Sequence, residues 1–176
     1  MSDEGRFAPD LSGVKAGMPI YERGEYEVVI SDVKPIYYNR ESDGKTIAGA
    51  QVNLEMAGRV ENDGTVNPNF GPDGDSVAGE PVAPNRLYVH SQKALGLVKQ
   101  FIMFSLGYAI DEEDAFNADI GGDLDISVFK PVDAEEATLG SGWDRLVGKR
   151  LRVTLDKRLY DGREQQDHKA FMPLPK

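Results

Sequence analysis

LVGKRLRVTLDKRLYDGREQQDHKAFM, residues 146–172, is the stretch that decides how this chain folds. Between Arg150 and Tyr160, apolar Leu151, Val153 and Leu155 alternate with Arg150, Arg152, Thr154, Arg158 and Tyr160. A period of two marks a strand with one buried face. Asp161-Gly162 follows as a two-residue turn signal, because a type I′ turn needs positive φ at both central positions. A turn centred there predicts that Leu151, Val153 and Leu155 share an apolar face with Met172, Ala170 and His168. The other face collects Arg150, Arg152, Arg158, Tyr160, Arg163, Lys169 and Phe171. This register sets Asp156 opposite Asp167, a destabilising like-charge pair, and so leaves room for a bulge.

Outward from the hairpin, the chain of 176 residues is the length of one domain with a real core. The absence of cysteine excludes disulfides, thiolate zinc sites and a cysteine nucleophile. No apolar run approaches the roughly 20 residues of a membrane helix, and the start, MSDEGRFAPD, is too acidic and polar for a secretory signal. A cytoplasmic location is the resulting expectation. A net charge of −10 argues against bulk attraction to nucleic acid, so any such role must rest on local charge.

Residues 1–20 read as a flexible N-terminal arm ahead of one domain over 21–176. Glu25–Val33, extended by Ile36-Tyr37-Tyr38, alternates as a first strand; Thr46–Val60 is a second, with Gly49 and Gly58 hinting at bends. An insertion at about 61–85 is rich in Gly, Pro, Asn and Asp and reads as a long loop. Arg86–His90 predicts a third strand, and Ser91 and Gly107 bracket a helix whose apolar arc includes Leu95, Leu97, Val98, Phe101, Ile102 and Phe104. A second insertion spans about 108–145. Three strands, a helix and two strands is the order of an OB fold, so the expected class is mainly β. The expected architecture is a five-stranded Greek-key barrel with its helix between strands 3 and 4.

Few motifs point to catalysis. Asp43-Gly44-Lys45-Thr46 ends like a phosphate-binding loop, but position 39 is Asn39 and the segment joins two strands. Asp111–Glu136 holds ten carboxylates against one base, Lys130, without the spacing of a calcium loop. A solvated or partner-recruiting surface is its simplest reading. His90 and His168 have no second ligand at metal spacing, and G-x-S-x-G is absent. The expectation is a non-enzyme with no cofactor and no metal.

The basic-aromatic hairpin face is the informative feature. Residues 142–176 carry nine Lys/Arg against five acids, in contrast to the acidic whole. Tyr37, Tyr38, Arg40 and Lys45 repeat the mixture at the loop after strand 1, where OB folds often take oligonucleotides. Cations that follow phosphates and rings that stack on bases suit single-stranded nucleic acid. GEYEVVISDVK near the front and LVGKRLRVTL with YDGREQQDHKAFMPL at the back resemble phage-encoded single-stranded-DNA-binding proteins with an OB fold, and related phage families of unknown function. The resemblance covers most of the strand-forming sequence and leaves both insertions outside it. It implies sequence-tolerant binding of single-stranded DNA in replication or recombination, in the host cytoplasm. The expected contacts are Tyr37, Tyr38, Arg40, Lys45, Arg150, Arg152, Arg158, Tyr160, Lys169 and Phe171, with single-stranded DNA as the partner and a homo-oligomer left open. Bacterial single-strand binders typically end in an acidic tail, whereas here Phe171–Lys176 carries none, and recruitment of replication or recombination proteins through acids would fall to Asp111–Glu136. The rival reading is a phage structural or adaptor protein that uses the barrel as a scaffold.

Overall fold

Two long strands, β1 (Gly24–Asn39) and β2 (Thr46–Val60), form the first hairpin. In the structure, a computed structural model, Ala8, Asp10, Ser12 and residues 17–176 are described. The arm expected over residues 1–20 therefore lies largely outside the described residues. The hairpin ladder slips twice, beside Glu27/Val28 and at Ile30/Asp32, and such bulges bend a sheet. Val28, Ile30, Val52, Leu54 and Met56 point to one side and are buried there, as their alternation predicts.

The chain between residues 61 and 80 is not the unburied loop that its composition suggests. It adds a short strand, β3 (Val66–Asn67), on β2, and it contributes Phe70 and buried Val77 to the core. The Phe70 ring lies 5.6 Å from Tyr26 and 6.2 Å from Tyr21. The third long strand, β4 (Pro81–Tyr88), starts earlier than expected and pairs with β2. Its ladder slips between Val52 and Leu54, which absorbs Pro84, a residue without an N–H to give. At Gly49 the β4 backbone comes so close that a Cβ would sit 2.3 Å from the Leu87 carbonyl oxygen.

Helix α1 (Gln92–Ser105) follows. It ends in a Schellman motif: Gly107 has φ +91°, its N–H donates to Phe104 O at 3.1 Å, and Tyr108 N–H donates to Met103 O at 2.8 Å. Val98 and Phe101–Ser105 are buried, but Leu97, expected in the apolar arc, is 68% exposed. The stretch 110–145 is ordered into a 3-10 turn, a single-turn helix α2 (Glu113–Phe116), a π-helical turn, a small hairpin of β5 (Val128–Phe129) and β6 (Thr138–Leu139), and α3 (Ser141–Asp144). Phe116, Trp143 and Leu146 anchor it in the core.

Strands β7 (Arg150–Tyr160) and β8 (Arg163–Met172) form the last hairpin. Asp161 and Gly162 both have positive φ, 51° and 75°. Pairing follows the expected register from Tyr160 opposite Arg163 to Leu155 opposite His168, then slips by one residue. Lys169 is the extra residue. Beyond it Phe171, not Ala170, lies opposite Val153. Phe171 therefore leaves the basic-aromatic face expected of it and packs edge-on against Phe101, with centroids 4.9 Å apart. Ala170 and Met172, expected on the apolar face, are exposed instead. The Asp156–Asp167 pair survives, and Lys169 Nζ meets the Asp167 carboxylate at 2.9 Å.

The result is mostly strand: a six-stranded antiparallel sheet ordered β3-β2-β1-β7-β8, with β4 also on β2, plus the β5–β6 sheet and three helices. The helix stands between the third and fourth long strands, as expected. The barrel does not close, because no ladder joins β4 to β8. Side chains bridge that seam instead. His168 Nε2–H donates to Ala83 O at 2.8 Å. Tyr21 N–H donates to Gln166 Oε1 at 2.6 Å, while its hydroxyl donates to Pro81 O at 3.2 Å. No single helix among the described residues is long and apolar enough to cross a membrane.

Packing sets the expected costs of truncation. Leu155, fully buried, should cost about 2–5 kcal/mol as Leu155→Ala. Half-buried Phe171 should cost about 1–3 kcal/mol as Phe171→Ala, and exposed Leu159 within about 0.5 kcal/mol as Leu159→Ala. Urea unfolding of the three variants checks the order; a Phe171→Ala protein as stable as wild type would contradict its inward placement.

Candidate nucleic-acid interface

Along β4, Val82 and Leu87 are buried on either side of the slip in the ladder, and Arg86 is exposed. The first half of α1 runs beside this strand. Two hollows open between them. The larger, about 550 Å³, occupies the β4–β8 seam and is lined by Arg86, Leu97, Phe101, Arg158, His168 and Lys169, among others. The smaller, about 350 Å³, lies at the β1–β2 loop and is lined by Tyr38, Arg40, Ile47, Tyr88, His90 and the start of α1. Together they trace a path along β4 from the β1–β2 loop to the β7–β8 hairpin.

The structure divides the residues that the sequence grouped. Tyr37 and Tyr38 are neighbours on a strand and so face opposite ways. Tyr38, half exposed, joins the path beside Tyr88 and His90, whose rings meet edge-on at 5.7 Å. Tyr37 instead lines a hollow with Lys130, Glu135 and Glu136, and Lys130 Nζ lies 5.9 Å from its ring centroid. Arg40 forms a two-point ion pair with Asp43, whose carboxyl is held down at about 2, chiefly by the Arg40 hydrogen bond. Lys45 is exposed in the same turn, and its N–H donates to Asp43 Oδ1 at 3.1 Å.

Arg150 and Arg152 are spent within the sheet. β1 pairs with β7 over Gly24–Val29, which sets Glu25 and Glu27 beside them. Arg150 Nη1 meets Glu27 Oε2 at 3.1 Å, and Arg152 Nη1 meets Glu25 Oε1 at 3.7 Å. Arg152 also donates to Gly64 O at 3.3 Å, and its side chain is only 12% exposed. At about 3.3 Å per residue, Arg158 lies roughly 20 Å beyond Arg152 along β7. Arg158 and Tyr160 are exposed at the hairpin tip, with Arg158 and Lys169 reaching the seam. Lys169 is held by Asp167, whose carboxyl it keeps below the ordinary range. Among the described residues, Arg86 and Arg158 lining the seam are in no salt bridge within 4.0 Å.

Three residues of the path escaped the sequence reading: Arg86, Tyr88 and His90. Their signal was the alternation within RLYVH, where every second residue is basic or aromatic. The Phe116–Ile126 part of the acidic insertion lies on the opposite flank of α1, where Leu95, Lys99 and Ile102 meet Phe116, Leu124 and Ile126, whereas Leu97, Gln100, Phe101 and Phe104 face the seam. No group of three or more His, Cys, Asp or Glu among the described residues is placed to hold a metal ion. Compared with models of known protein families, the chain matches none, and no curated protein aligns with it significantly.

His168 is the titratable group at the centre of the seam. Burial pushes its pKa below the ordinary 6.5, against the opposing pull of the Ala83 carbonyl and of Asp167. The folded state thus favours neutral imidazole with the proton on Nε2, where it bonds Ala83. Above the ordinary value neither state gains. Below it the unfolded chain takes the proton first, so stability should fall as pH drops through about 6.5 towards the lowered folded value. His168→Gln keeps a donor without titrating, and its stability should fall less over that range. Urea midpoints measured between about pH 7 and pH 5.5 test this; parallel curves would remove His168 from the account.

Proposed function

We propose that this protein binds single-stranded DNA without strong sequence preference and acts without catalysis, in phage replication or recombination. The supporting observation is the path along β4, which sets the rings of Tyr38, Tyr88 and His90 in line with the cations Arg86, Arg158 and Lys169. Rings accept any base by stacking, and guanidinium groups follow the phosphates. The long strands run third, second, first, fourth, fifth across the sheet, with the helix after the third. This is the strand order of an OB fold, and we read the sheet as such a barrel with its last seam unzipped. The DNA path follows that seam in place of the Arg150–Arg152 face. Phe116, Leu124 and Ile126 of the carboxylate-rich insertion pack behind α1, on the flank away from the seam.

Magnitudes limit this reading usefully. Among the described residues Arg86 and Arg158 are in no salt bridge within 4.0 Å, with Arg158 acting on Asp167 at longer range, while Arg40 and Lys169 must share their carboxylates. Two to four neutralised phosphates give a salt slope of about 1.4–2.8 in log–log terms. Stacking then supplies much of the affinity. A second reading, a structural or adaptor protein, draws on the cations already consumed inside the sheet by Glu22, Glu25 and Glu27.

Fluorescence anisotropy with labelled oligo-dT across several salt concentrations separates the two. Tyr38→Ala should weaken binding by about 1–3 kcal/mol with little change in salt slope. Arg158→Ala should flatten the slope by about 0.7. Arg152→Ala should leave the slope unchanged, since its guanidinium is committed to Glu25 and Gly64. Absence of binding at low salt, or wild-type binding by both Tyr38→Ala and Arg158→Ala, would favour the scaffold reading.

A further inference from the structure

The seam hollow holds more than the cations of the DNA path. Its volume, about 550 Å³, falls within the range of sites that enclose small ligands, about 300–1,000 Å³. Buried Leu87, Phe101 and Phe104 give it an apolar floor. Leu97, one turn before Phe101 on α1, also lines it and leaves an apolar face open there. Three amide side chains complete the lining: Asn85, Gln100 and Gln166. Gln166 is committed, since its Oε1 accepts from Tyr21 N–H and its Nε2 donates to the carbonyls of Tyr21 and Asp156. Asn85 and Gln100 are half-buried, yet neither has a hydrogen-bond partner among the described residues. Asn85 stands opposite fully buried Val52 and two positions before Leu87, so it lies on the core face of β4. Polar side chains on a core face are ordinarily paired. Gln100 follows Leu97 by three residues and shares its face of α1. The two unpaired amides thus stand on different walls of one hollow, one on β4 and one on α1.

We infer that this hollow takes up one adenine of the bound strand, read by the amides of Asn85 and Gln100. Each amide sets an acceptor beside a donor. Adenine is the DNA base whose exocyclic amine lies between two ring acceptors, N1 and N7. Two amides approaching from either side each accept one N6–H and donate to the neighbouring ring nitrogen. Cytosine has a ring acceptor on one side of its amine only, and guanine and thymine carry a carbonyl in that place. Leu97 covers the face of the ring, while Arg86 and Arg158, which also line the hollow, hold the adjoining phosphates. The inference rests on the seam being the path of the DNA. It adds base preference at one position to a path that otherwise accepts any sequence.

The probe is labelled oligo-dT with one dA placed at each position in turn, titrated into the full chain by fluorescence anisotropy. At its best position dA should tighten binding by about fivefold or more over all-dT, whereas dC or dG there should not. Replacing that dA by its 7-deaza or its 1-deaza analogue, each short of one ring acceptor, should cost about threefold or more. These probes need no change to the protein. Asn85→Ala and Gln100→Met should each bring the dA and dT values together, and a thermal melt confirms that they fold. Oligo-dT binding with no preference for dA would overturn this inference alone, whereas absence of binding by every oligomer at low salt would remove the DNA path with it. Preference for dG would assign the readout to Arg86 or Arg158 and overturn the role of the amides. Undiminished binding of both deaza probes would overturn it as well. Displacement of the dA oligomer by micromolar free deoxyadenosine monophosphate would overturn the strand as the source of the base and give the hollow to a soluble nucleotide.

Discussion

One extra residue in one strand governs much of this architecture. Lys169 interrupts the β7–β8 register, and every side chain after it changes sides. Phe171 turns inward onto Phe101 and so ties the last strand to α1. His168, just before the slip, stays inward and stacks on Phe171 at 5.4 Å. The two rings fill the space where β8 would otherwise approach β4. Side chains wedged between two edges keep the backbones apart, which leaves a bridged seam in place of a ladder. The hollow along β4 exists because of that separation.

Charge is organised on the same principle of local commitment. The sheet surface looks basic along β7 only when β1 is ignored, because β1 sets a glutamate beside each of the first two arginines. Each pair joins one solvent-exposed side chain to one only 12% exposed. Such pairs neutralise the surface they cover. Beyond the end of the β1–β7 ladder Lys157 is taken by Glu22, while Arg158 is in no salt bridge among the described residues and reaches the seam.

Much of the fold was legible in the sequence, and the reasons are specific. Alternation found β1, β2 and β7, Asp161-Gly162 found the turn, and Gly107 found the end of α1, since each signal is local. The reading failed where long-range packing decides. Nothing local announces the slip at Lys169, so Phe171 was assigned to the wrong face. Phe70 and Val77 sit among glycines, prolines and acids, and their burial depends on Tyr21 and Tyr26, distant in sequence. Trp143 is fully buried only because Gly142 lets the chain pass the Asp125 carbonyl, where a Cβ would lie 2.5 Å away. Of the side chains lining the two hollows, Tyr38, Arg40, Arg158, Lys169 and Phe171 were among the expected contacts, whereas Tyr88 was not, because RLYVH was read only as a short strand.

The β1–β7 ladder has a consequence for how the molecule is assembled. Each long hairpin is closed by a short turn and can form early, but the ladder that unites them pairs Gly24 with Leu155. Most of the chain must be looped out before that contact forms, and the entropy of closing so long a loop is spent before any pairing repays it. On a ribosome the first hairpin emerges well ahead of its neighbour, with the edge of β1 uncovered. Folding therefore has a natural waiting step, in which β1 and β2 are paired to each other and to nothing beyond. Pulse-labelled hydrogen exchange during refolding would record it as the Ile30 amide, which donates to Lys149 O, protected later than the amides across the β7–β8 turn.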